Sequence, residues 1–242
     1  MKHLTVLSID FDLNGETQTL FFSLLHDEQN LMLIDCGYPG SLEKIEQAAQ
    51  QTGMDMARLT HILITHHDFD HMGDLARLKA RYPNARVLSS PNEVPFIEGA
   101  CKSLRLEQAE ALFDSLPESM KPGALAFAQM LAAVVPAKVD QTVEEAQEWP
   151  LFGGIRFIAT PGHMPGHLSV YLPNSRTLIA GDAVVVESGK LAIANPHYTL
   201  DLPAAKASLA KLAGLAIDRI VCYHGGIFEG NIKTALERLA QT

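Results

Sequence analysis

Short apolar runs recur along the chain, each ended by glycine, proline or a polar cluster. Residues 3–9 (HLTVLSI) and 19–25 (TLFFSLL) predict two strands joined by a hairpin turn around Asn14-Gly15. A third strand is predicted at 31–35 (LMLID), closed by Cys36-Gly37. A helical pattern follows over 41–52 (SLEKIEQAAQQT), with Ser41 as its N-cap. Residues 61–65 (HILIT) predict a buried strand that runs straight into His66-His67-Asp68-Phe69-Asp70-His71. A helix over 73–82 and a strand over 85–89 complete this half.

Residues 91–150 break the alternation. Two helix-like stretches, LEQAEALFDSL and ALAFAQMLAAVV, are separated by Pro117 and Pro122 and followed by Pro136. They predict a helical insertion or cap at 91–150 within a single domain spanning 1–242. The strand pattern then returns at 155–159 (IRFIA), 168–172 (LSVYL) and 177–181 (TLIAG). A helix at 203–214, a strand at 218–223 and a helix at 230–240 close the chain. The two halves share one plan, strands followed by helices. Packed face to face they predict an α/β protein, an αββα four-layer sandwich carrying a helical insertion.

The chemistry gathers where the strands end. His66, Asp68, Asp70 and His71 fall within six residues directly after a predicted strand. Such a cluster is costly to bury unpaired, and a divalent cation would neutralise it. His163 lies in a loop after IRFIA, Asp182 follows Gly181 at the end of TLIAG, and His224 follows the strand at 218–223. Loops at strand ends are where such folds place reactive groups. These donors would satisfy two divalent metal ions sharing a carboxylate, a known device for activating water.

Composition narrows the partners. Formal net charge is −9 with ten histidines taken as neutral. That surface disfavours phosphate backbones, so no nucleic-acid partner is expected. No run reaches the length needed to span a bilayer, so no membrane partner is expected, and the N-terminus lacks signal-peptide features. Three cysteines without CxxC spacing suit a reducing compartment. The expected location is cytoplasmic.

These residues resemble the metallo-β-lactamase superfamily along nearly the whole chain. The matching motifs are Ile34-Asp35-Cys36-Gly37, Thr65 to Gly73, Pro161-Gly162-His163, Gly181-Asp182 and His224-Gly225. The resemblance implies one metal on His66, the residue at 68, His163 and Asp182. It implies a second on Asp70, His71, His224 and Asp182, with Asp182 bridging and Asp35 behind the ligands. It also implies a metal-bound hydroxide attacking a carbonyl or phosphoryl centre, with Asp70 taking the proton as a catalytic residue. Zinc is the first metal expected. The family usually has histidine where this chain has Asp68. A harder carboxylate there makes manganese or iron more plausible. Alternatively, Asp68 holds its metal through water and leaves the first site weak. His67, as the neighbour of a ligand in an extended segment, should point away.

Among the remaining residues, His61 reads as structural and His167 as a loop or supporting histidine. His197 and Tyr198 sit where they can touch substrate, or serve packing. The apolar stretch 124–135 completes the core, roofs the site or forms a homodimer contact. Within the family, Asp182 points toward thioesterase-like, lactonase-like or phosphodiesterase-like members. With the charge argument this implies a small-molecule ester, thioester or lactone as substrate. The alternatives are a non-haem iron oxidoreductase on the same fold and a non-catalytic metal-binding protein.

Overall fold

Strands β3 (Leu31–Ile34), β9 (Leu168–Leu172) and β10 (Thr177–Gly181) are buried along their whole lengths. Strands with such unbroken burial must be covered on both faces. The computed structural model describes residues 3–13, 15–145 and 147–241, and in it these strands lie inside two stacked sheets. The first sheet runs β1 (Leu4–Leu13), β2 (Glu16–His26), β3, β4 (His61–Leu63), β5 (Arg86–Ser89) and β6 (Gln141–Thr142). Its first two pairings are antiparallel and the rest parallel. The second runs β14 (Gly226–Phe228), β13 (Arg219–Cys222), β10, β9, β8 (Ile155–Ala159) and β7 (Glu148–Trp149). The hairpin β11 (Val185–Glu187) and β12 (Lys190–Ala192) stands apart.

Three cores make four layers. Between the sheets, Met32, Ile34, Leu63 and Leu88 meet Phe157, Leu168, Val170 and Val221. Outside the first sheet pack α1 (Leu42–Gln51) and α3 (Leu75–Arg81), through Ile45, Ala49, Leu75 and Leu78. Outside the second pack α7 (Leu202–Ala213) and α8 (Ile232–Gln241), through Leu209, Leu212 and Leu236. The apolar stripes of these helices explain why each takes its side of the sandwich. The αββα expectation therefore holds.

The differences from the sequence reading are local. The first hairpin is longer than predicted, and Asn14 lies outside the described residues. Ser41 precedes α1 but makes no side-chain cap. Asp74, remote in sequence, accepts the Leu42 N–H at 2.7 Å and does the capping. The helix expected over 73–82 is α3, and a separate short helix, α2 (Phe69–Met72), precedes it. In the 91–150 segment, α4 (Val94–Ile97), α5 (Leu104–Phe113) and α6 (Lys121–Ala132) are helical. Its last part contributes edge strands to both sheets, β6 and β7. These two-residue strands are too short to carry a periodic signal.

Candidate metal centre

Every expected ligand emerges from the end of a central strand. The 66–71 segment follows β4, His163 follows β8, Asp182 follows β10, and His224 lies just beyond β13. The sheets are joined at this edge by Phe21 N–H donating to the Tyr223 carbonyl at 2.9 Å, and by a bridge between Leu20 and His224. Strand ends from both halves are thereby drawn to one point.

All seven expected side chains converge there. His66, Asp68 and His163 place ligand atoms within 4.8 Å of one another, as do Asp70, His71 and His224. Asp182 stands between the sets. Its Oδ1 is 3.4 Å from His71 Nε2, and its Oδ2 is 3.6 Å from both His163 Nε2 and His224 Nε2. One carboxylate thus faces both groups, as a bridging ligand must.

The ring orientations follow from hydrogen bonds behind the centre. Asp35, in the left-handed region at φ 63, turns its carboxylate inward. It accepts from Thr65 N–H at 2.8 Å, from the Thr65 hydroxyl at 2.9 Å, and from His71 Nδ1 at 2.9 Å. The Thr65 oxygen in turn accepts from His66 Nδ1 at 3.0 Å. Both rings therefore present Nε2 to the centre. His66 Nε2, His71 Nε2 and Asp182 Oδ1 are buried with no hydrogen-bond partner. Unpaired buried nitrogens and carboxylate oxygens are costly, and a divalent cation is the partner that suits them. The donor set thus fits metal.

His167 is not among the converging ligands. Its Nε2 accepts the Asp182 N–H at 2.9 Å, and its Nδ1 bonds the Thr160 hydroxyl at 2.8 Å. Burial, then the neighbouring His163, push its pKa down to about 3, so it stays a neutral acceptor. Its task is to hold the backbone that delivers Asp182. Gly181 allows the approach, at φ 54 with an added Cβ placed 2.6 Å from His167 Nε2.

The charges are mutually dependent. Burial opposes protonation of His71, yet Asp182, Asp35 and Asp70 hold its pKa well above the ordinary value. Burial likewise opposes it at His224, but Asp182 and Asp70 raise that group to about 10. Burial disfavours the Asp68 and Asp182 anions; their histidine neighbours nonetheless keep both well below the usual carboxylate range, with Arg105 adding to the effect on Asp68.

Two contributors were absent from the sequence reading. Arg105 of α5 is buried and grips Asp68 with two bonds, Nε to Oδ1 at 3.1 Å and Nη2 to Oδ2 at 2.7 Å. Nothing in its helical neighbourhood marks it. Glu93, fully buried, accepts from His67 N–H and Gly166 N–H, both at 2.8 Å, and tethers the 66–68 and 163–167 loops together. Its place just past β5 is the same strand-end signal that marks the ligands. His67 turns away from the centre, bonds Glu93 through Nδ1, and stacks on Phe96 at 4.3 Å.

A cleft of about 910 Å³ opens over the centre. Asp68, Asp70, His163, Asp182 and His224 form its floor, and Leu13, Phe127, Met130, Val185 and Val186 supply apolar wall. Met130 and Phe127 come from α6, so the apolar 124–135 stretch roofs the site, while its Leu131 is buried and Leu125 is open to solvent. Tyr198 also lines the cleft. His197 is not among the lining residues, and its carbonyl accepts from the Gln108 amide at 3.0 Å.

The fold and the placing of these motifs define a known class of protein. Residues 21–224 match the metallo-beta-lactamase superfamily, and the chain belongs to it. It is similar to the probable metallo-hydrolase YflN of Bacillus subtilis, 31% identical across 91% of this chain and 85% of that protein. It is also similar to a hydroxyacylglutathione hydrolase of Brucella anthropi, 26% identical over 88% of this chain and 64% of that enzyme. Among solved structures, the fold resembles a metallo-beta-lactamase family protein from Thermus thermophilus. The TM-score is 0.77 at 21% identity, covering 100% of this chain and 79% of that one. The protein is an enzyme, a metallo-hydrolase of this superfamily. No helix among the described residues is long and apolar enough to cross a membrane.

Proposed function

We propose that the protein hydrolyses a small-molecule ester, thioester or lactone, with zinc as the first metal expected at the centre. The observation that carries this reading is the convergence of seven N and O donors, five of which form the floor of one cleft. Similarity to a hydroxyacylglutathione hydrolase supports an acyl-transfer substrate, with thioesters the first class to test. The cleft wall supports it too. Apolar side chains alternate with Asp12, Glu16 and Glu187, a lining that suits a neutral acyl group and repels a polyanion.

His66, Asp68, His163 and Asp182 would hold one ion, and Asp70, His71, His224 and Asp182 the other. Divalent ions bound there would supply a water that ionises near neutral pH and a Lewis acid for a substrate oxygen. The chain's own residues set the rest. The Asp70 side chain keeps 14% of its surface open to the cleft, 3.3 Å from His224 Nε2. From there it can accept a proton from a nucleophilic water and return it to the leaving group. The Tyr223 hydroxyl donates to the Asp70 carbonyl at 2.7 Å and fixes the backbone that aims that carboxylate. Tyr38 lies on the cleft wall with its hydroxyl donating to Gln18 Oε1 at 3.1 Å. Burial, with Asp70 and Asp182 nearby, raises its pKa and keeps the phenol neutral. Phe127 and Met130 shield the apolar side of the substrate from water.

The test is turnover by purified protein on a panel of esters, thioesters and lactones, paired with elemental analysis. Hydrolysis that disappears on chelation and returns with added divalent metal is expected. Full turnover after exhaustive metal removal overturns the reading. Bound iron with dioxygen consumption and no hydrolysis replaces it with an oxidoreductase.

A further inference from the structure

Arg105 is placed where superfamily resemblance predicts a cation. The residue is 3% exposed, and its guanidinium donates through all three nitrogens. Beyond the two bonds to Asp68, Nη2 donates to the Tyr198 carbonyl at 2.7 Å and Nη1 to Gln108 Oε1 at 2.7 Å. The same Nη2 is 3.4 Å from His163 Nε2, which itself lies 2.9 Å from Asp68 Oδ2. The fork therefore covers two of the three side chains that, with Asp182, make up the first position.

Geometry and charge act together here. A bidentate guanidinium–carboxylate pair directs both oxygens of Asp68 toward the arginine. A divalent ion on Asp68 and His163 would stand within a few ångströms of a fixed, permanently charged guanidinium. No such competitor touches the second position: Asp70, His71 and His224 have no Lys or Arg partner among the ion pairs of the described residues. Arg105 is also held in place. The first N–H of α5, from Leu104, donates to His67 Nε2 at 3.3 Å, and His67 is anchored by Glu93. Gln108, one turn on, holds the 196–198 segment through the His197 carbonyl. Release of Asp68 would require Arg105 to abandon contacts at both ends.

We propose that Arg105 serves as an internal cation at the first metal position, so that the two positions are unequal. One ion binds tightly on Asp70, His71, His224 and Asp182. A second binds on His66, Asp68, His163 and Asp182 only weakly, in competition with the arginine. The inference rests on the metal-dependent reading above and adds the stoichiometry that reading leaves open.

The test is cobalt titration of the metal-free full chain, followed by its visible absorption and by calorimetry, for wild type and Arg105→Met. Wild type is expected to take one equivalent tightly and a second about 10- to 100-fold more weakly, the range by which residues behind metal ligands tune affinity. In Arg105→Met the second equivalent should tighten toward the first, and the absorption should rise to a two-ion endpoint. Two ions bound by wild type within tenfold of each other overturn the inference and leave the hydrolase reading intact. So does a folded Arg105→Met whose second ion binds as weakly as in wild type. If that variant fails to fold by circular dichroism, the wild-type titration alone decides. Wild type binding no divalent ion at all removes the metal-dependent reading itself.

Discussion

At the scale of single residues, two of the histidines and the backbone of Asp182 are oriented by hydrogen bonds made behind the centre. Asp35 does this for His71, Thr65 for His66, and His167 for the backbone of Asp182. At pH 7 the metal-free protein carries protons on His71, raised by its carboxylate neighbours, and on His224, raised to about 10. Coordination requires neutral imidazole, so metal uptake must expel these protons. Apparent affinity should then rise with pH over the range below those raised pKa values. Calorimetry in buffers of differing ionisation heat should report about two protons released per ion bound at the Asp70–His71–His224 position. Asp70→Asn removes a proton acceptor as well as a ligand oxygen. Its kcat should fall by about 10²- to 10⁴-fold, the usual contribution of a general acid–base group, measured at saturating metal.

At the scale of elements, the strand ends and the helices of the 91–150 segment divide the labour. Gly181 ends β10 in the left-handed region, against His167. Gly181→Ala should cost about 1–3 kcal/mol from backbone strain and contact. Urea unfolding measures that cost, and metal affinity should fall with it as His167 is pushed off the Asp182 N–H. Helix α6 contributes apolar wall through Phe127, which also meets Phe69 at a ring distance of 5.8 Å. Phe127→Ala should raise KM for substrates with large acyl groups and leave kcat for small acetyl substrates within about threefold. A loss of kcat on all substrates alike would place Phe127 in the support of the centre instead. The two longer helices of the 91–150 segment were legible, because their apolar stretches lie between prolines. The edge strands Gln141–Thr142 and Glu148–Trp149 were not, since two residues hold no period.

At the scale of the whole molecule, the two halves are joined over an apolar core and again at the edge where the donors meet. Metal bound there would hold β4, β8, β10 and β13 to one another, and would bind the folded chain far better than the unfolded one. Chelation should therefore lower Tm. Saturating zinc at about 1,000 times its Kd should stabilise the fold by about 4 kcal/mol, read as a shift in thermal unfolding. A Tm indifferent to chelation would mean that the sheets align without help from the centre. The superfamily assignment and the sandwich were readable from the chain, as were the side chains that converge at the strand ends. Each depends on strands ending in particular residues, and a buried strand announces itself in four or five consecutive letters.

What the sequence determined by itself was the order of strands and helices and the side chains set at the strand ends, because periodicity and punctuation are local and survive in one dimension. The tertiary structure alone decided that Arg105 reaches across 37 positions to Asp68, that Asp74 rather than Ser41 caps α1, and that Glu93 ties the two ligand loops together. Those pairings join residues with no shared period, and they exist only once packing has expelled water and left each buried charge to find its partner.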